Sequence, residues 1–137
     1  MSTKIRLVFT LGPGWLGLLL GLAFAVAVAA AAAGEAETEI AYLIRSVAES
    51  DYQFVRNGDS YPGPEAAEHL RKKYEYRADR IHSAQDFIDS VASGSWLSGE
   101  PYQVITDSGQ VVPTRDWLSQ RLAEYRARPD RSPPGQP

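Results

Sequence analysis

The sequence predicts a small α+β domain, mainly helical, with about four helices and one or two short β-hairpins behind an apolar N-terminal leader. Three observations carry that expectation. Several stretches repeat apolar residues at helical spacing, two short arms flank turn-forming residues, and no pair of long apolar strands is present to build a parallel βαβ sheet. The chain has 137 residues, and residues 7–34 form a 28-residue stretch without a charge. The remainder of the chain, from Glu35 on, carries 12 Lys or Arg and 17 Asp or Glu, five negative charges net. Nucleic acid is therefore not an expected partner, because it rewards clustered positive charge. The lack of Cys removes a disulfide framework, a thiolate metal centre and an acylated lipoprotein.

Lys4 and Arg6, the apolar run from Trp15 to Val28, and the small residues Ala31-Ala32-Ala33 before Gly34 follow the order of a secretory signal peptide. Small side chains suit the narrow groove of the peptidase. A cut after Ala33, or after Ala36, is expected, with residues 1–33 as leader, 34–128 as the domain and 129–137 as a tail. The competing reading is an uncleaved membrane helix, since about 20 apolar residues cross a bilayer. Without an Arg-Arg pair ahead of the run, the twin-arginine route is not expected. Either reading exports the acidic part, into the periplasm of a bacterial cell or anchored facing it.

Beyond the leader, Ile40, Leu43, Ile44 and Val47 recur at i, i+3, i+4 and i+7, an amphipathic helix over residues 37–50 with Glu35, Glu37 and Glu39 at its positive end. Asn57-Gly58 suits the two positive φ values of a type I′ turn between short arms, one holding Phe54 and the other Tyr61. Pro62-Gly63-Pro64 interrupts the chain, and Pro64 fits the first position of a helix whose apolar face holds Ala66, Ala67, Leu70, Tyr74, Ala78 and Ile81. Ser83 with Asp86 three residues on reads as a capping box opening a third helix, with Phe87, Ile88 and Val91 inward and Gly94 as its stop. After a Ser- and Gly-rich connection, Tyr102–Thr106 and Gln110–Val112 read as strands about an Asp107-Ser108-Gly109 turn. Thr114 is the expected N-cap of a last helix that carries Trp117, Leu118, Leu122 and Tyr125 inward. Four prolines among the last nine residues, with no apolar anchor, predict a disordered tail.

A set of these residues resembles a known family. It comprises Phe54 with Arg56-Asn57-Gly58 and Tyr61, then Glu65-Ala66, His69-Leu70-Arg71 and Lys73-Tyr74. It continues with Ser83-Ala84-Gln85-Asp86-Phe87-Ile88, Ala92-Ser93, Ser98-Gly99 before Pro101-Tyr102, and Trp117-Leu118. Together they resemble domain of unknown function 5329, a family of small exported bacterial proteins, over about residues 39–125. The resemblance implies export and a mixed helical fold and brings no catalytic residue. The chain departs from the family pattern at Gly94-Ser95-Trp96 and at Glu100, where Lys is expected.

No catalytic residue, metal site or cofactor is expected. Glu65 and His69 share a helix flank at i, i+4, yet further ligands are lacking, and a tyrosine-capped or solvated His explains the position. A small hydrolase using His69 would need a held Ser and an orienting acid, and Ser93, Ser95 and Ser98 lie on a flexible stretch. The run Arg71-Lys72-Lys73 with Arg77 and Arg80 alternates with Glu68, Glu75 and Asp79, as a salt-bridged solvated face does. The candidate binding residues are Arg56, Asn57, Tyr61, His69, Arg71 and Tyr102, which converge if the Asn57-Gly58 turn packs beside the second helix. Arg forks bind carboxylate or phosphate, and Tyr offers a flat face with a polar tip. The expected role is a non-catalytic binding or accessory protein of the envelope, its partner an unidentified envelope protein or polymer. A membrane-tethered structural protein is the reading if the leader stays on the chain.

Overall fold

The computed structural model describes residues 14–129, with side chains from residue 25 onward. The charged start around Lys4 and Arg6 and the expected tail beyond Pro129 lie outside the described residues. The chain divides into two compact units, residues 1–32 and 33–137. Among the described residues no helix is long and apolar enough to cross a membrane.

The first helix, α1 (Gly14–Ala48), starts far ahead of the expected residue 37. Ala and Leu are the strongest helix formers, and the one break between them and the amphipathic stripe, Gly34, costs only about 1 kcal/mol. Glu39 consequently sits inside a helix instead of at its positive end. It is buried, and Arg126 grips it through Nε and Nη2, each 2.7 Å from a carboxylate oxygen.

Strands β1 (Gln53–Arg56) and β2 (Asp59–Pro62) form the expected hairpin, with Asn57 at φ 51° and Gly58 at φ 85° as the type I′ turn requires. Helix α2 (Gly63–Arg77) follows at once, with Pro64 in its first turn. Gly63 is set by close approach: an added Cβ would lie 2.6 Å from the Ser50 carbonyl oxygen and nearer still to that of Val47. A 3₁₀ turn at Ala78–Arg80 ends α2 before Ile81, which is buried from extended backbone.

Ser83 caps α3 (Ala84–Phe87) by accepting from the Asp86 amide, while Asp86 accepts from the His82 amide, one residue earlier than a capping box requires. The helix continues in π form over Ile88–Ala92. The Ser- and Gly-rich connection is not a loose linker: Ser95 Oγ accepts from the Leu97 and Ser98 amides, and Ser98 Oγ donates to Asn57 Oδ1 at 2.9 Å.

Strands β3 (Gln103–Ile105) and β4 (Val111–Pro113) make the second hairpin. The two hairpins join into one antiparallel sheet in the order β2-β1-β3-β4, with Phe54 opposite both Tyr61 and Val104. Thr114 does not cap the last helix; it is the first residue of α4 (Thr114–Arg126), buried, and its hydroxyl has no hydrogen-bond partner among the described residues. Leu43, Val47, Leu70, Phe87, Val104 and Leu118 meet in the core, and Trp117 joins them as expected, edge-on to Phe54.

Candidate binding site

Period-two alternation puts Phe54 and Arg56 on one face of β1, Tyr61 opposite Phe54, and Tyr102 on the same face as Val104. The helix repeat of α2 turns Ala66, His69, Leu70 and Lys73 toward that face. Between them lies a cavity of about 220 Å³ lined by Phe54, Arg56, Tyr61, His69, Tyr102 and Thr114, among others. Arg56, Tyr61, His69 and Tyr102 also line a more open depression of 390 Å³, shared with Asn57 and Trp96.

A chain of hydrogen bonds runs along the wall. Lys73 is buried, and its ammonium donates to the carbonyls of Val91 at 2.6 Å and Gly94 at 2.8 Å and to Tyr102 Oη at 3.3 Å. Those carbonyls belong to the end of the α3 and π segment, where helix carbonyls lack partners of their own, so a cation there serves as the cap. Tyr102 Oη in turn shares a hydrogen bond with His69 Nε2, 3.2 Å away.

Burial and charge set the protonation of this wall. Burial, then the positive charges of Arg56, Lys73 and Lys72, lowers the His69 pKa to about 4, so the ring is neutral at pH 7. Burial, then Arg77 and Arg56, lowers that of Lys73 to about 8, and burial raises that of Tyr102. No carboxylate hydrogen-bonds His69 among the described residues, and Ser93 Oγ is spent on the Ile88 carbonyl. The orienting acid and free nucleophile of a hydrolase are not assembled around it.

Arg56 differs from its neighbours. Its guanidinium lies 4.4 Å over the Tyr61 ring and makes no ion pair among the described residues. Arg71 and Lys72, by contrast, are held by Glu68 at 2.6 and 3.5 Å, and Arg80 lies 3.9 Å from Asp79. Of the six residues singled out in the sequence, five gather around the two cavities. Arg71 does not; it faces a groove lined by Tyr74 and Ile44.

Lys73 was hidden inside the basic run, although positions 66, 70 and 73 follow the i, i+4, i+7 stripe that marks the inward face. Trp96 was missed as well. It donates from Nε1 to the Ser90 carbonyl at 2.7 Å and lies against the Lys73 and Arg77 cations at 4.6 and 4.0 Å. Among the described residues no three His, Asp or Glu side chains cluster as metal ligands would.

The comparisons with known proteins agree with the resemblance seen in the sequence. The family of unknown function DUF5329 matches residues 34–126. The uncharacterized protein YfeK of Salmonella typhimurium strain LT2 is 48% identical over 54 residues, which are 39% of this chain and 45% of that relative. The match thus spans less than half of either protein. No solved structure matches the chain. With the family pattern covering residues 34–126, to the last residue of α4, the chain belongs to the DUF5329 family of unknown function.

Proposed function

We propose that this is an exported protein of the bacterial envelope, resident in the periplasm, that binds an envelope protein or polymer without catalysing a reaction. One observation carries the binding reading. An arginine without an ion pair among the described residues lies over the Tyr61 ring at the wall of a cavity, beside a neutral His69. A cation left unpaired in a concave, partly apolar site is what recognition of an acceptor group requires. Support for export comes from Lys4, Arg6 and the uncharged residues 7–34 ending in small side chains.

The test is affinity capture from a periplasmic extract with the wild type and with Arg56→Ala. A partner lost in the variant is the expected result; equal capture removes the binding reading. Protein recovered from cell fractions should begin at Gly34 or Glu37, and full-length protein in the cytosol would remove export.

A second reading, a membrane-tethered protein, has one observation in its favour: residues 31–36 are helical, where a peptidase needs extended chain. An intact Met1 in the membrane fraction selects it.

A further inference from the structure

We infer that the 220 Å³ cavity binds a monocarboxylate bearing one short apolar substituent, the carboxylate on Arg56 and the substituent against Phe54 and Leu70. The inference rests on the binding reading and names its ligand. Donors without acceptors point to an anion. Arg56 has no ion pair among the described residues, and Nδ1 of the neutral His69 ring has no hydrogen-bond partner there. Thr114, in the same wall, contributes a buried hydroxyl with no hydrogen-bond partner among the described residues.

Charge selects a monoanion over a phosphate dianion. Glu65 and Glu68 also line the cavity, and although Glu68 is held by Arg71 and Lys72, the Glu65 carboxylate has no ion pair among the described residues. A second negative charge on the ligand would meet it. Size limits the substituent: 220 Å³ exceeds the roughly 150 Å³ that holds benzene and falls short of the about 300 Å³ at which drug-sized pockets begin. The planar fork of Arg56 matches a carboxylate in two parallel hydrogen bonds, and the cation–π contact with Tyr61 helps to hold the guanidinium at the cavity wall.

The chemistry is shared by a free short-chain acid and by the C-terminus of a peptide ending in a small apolar residue. The experiment titrates the full chain, labelled at Thr methyls and His rings, with N-acetylalanine, butyrate, N-acetylalanine amide and inorganic phosphate. Saturable shifts at Thr114 and His69 are expected with the two acids only, and Arg56→Gln should weaken them at least about tenfold, as loss of a charge-assisted fork does. Tighter binding of N-acetylalanine than of butyrate identifies the peptide end, and the reverse order the free acid.

The inference is overturned if the amide binds as well as its acid, if phosphate binds more tightly, if Arg56→Gln binds the acids unchanged, or if no probe shifts either residue. Capture from extract that still depends on Arg56 would then leave the binding reading intact with another ligand. Capture indifferent to Arg56 would end both.

Discussion

Glu39 on α1 and Lys73 on α2 are both buried charges, and the two regions satisfy them differently. Glu39 meets an opposite charge, both oxygens taken by Arg126, so little field is left over. Lys73 meets neutral acceptors, two helix-end carbonyls and a phenol, so its positive charge stays uncompensated and acts on the groups beyond Tyr102. There it helps to keep His69 neutral, beside an Arg56 that also has no ion pair among the described residues. A capped cation can thus build an anion-favouring site where a paired one closes its charge off.

The largest effect is expected at Lys73. Lys73→Ala leaves two carbonyls without their donor and opens a void, which should cost about 3 kcal/mol in urea unfolding. With that charge gone, the His69 ring should titrate above about 4, toward its ordinary 6.5, when followed by NMR. The wild type should also show two pH windows. His69 releases its proton at about 4 in the fold and 6.5 when unfolded, Lys73 at about 8 and 10.5. Within each window the unfolded chain holds more protons, so stability should rise with pH from 4 to 6.5 and from 8 to 10.5, and fall as pH is lowered through them. His69→Gln should flatten the acidic window alone; an unchanged slope there would refute the neutral, half-buried ring.

A smaller loss is expected at the other region. Arg126→Ala strands a buried carboxylate and should cost about 2 kcal/mol, below the 3–5 kcal/mol typical of fully buried pairs because this guanidinium is half exposed. Adding Glu39→Gln should recover part of that loss, and a double variant as unstable as the sum of the singles would deny the coupling.

The smallest change separates both regions from a third buried polar group. Among the described residues the hydroxyl of Thr114 has no hydrogen-bond partner, so Thr114→Val should raise stability by about 1 kcal/mol. A loss on this substitution would show that the hydroxyl is satisfied after all.

Much of the local structure was legible. Asn57-Gly58 demanded a type I′ turn, Ser83 had an amide to cap three residues on, and Trp117 belonged to an apolar stripe, because each is decided within a few residues of chain. Four site residues were legible for a related reason: Arg56 and Tyr61 flank that turn, His69 lies on the next helix, and Tyr102 stands two residues from the inward Val104. Arg71 lies apart from them because it neighbours His69 in sequence but turns about 200° from it around the helix, toward Glu68. The start of α1 was misplaced because the amphipathic stripe marks where the helix meets a core, not where helical backbone begins.

By itself the sequence determined the elements, their turns and the inward stripes, since period, propensity and turn chemistry act over one or two turns of backbone. Tertiary structure alone decided that the two hairpins share one sheet, that Glu39 finds Arg126 across 87 residues, and that Lys73 is buried under the end of the π segment. The physical reason is common to all three. A sheet edge, a buried charge and an orphan carbonyl each need a partner, and local sequence states the need without saying which distant group will meet it.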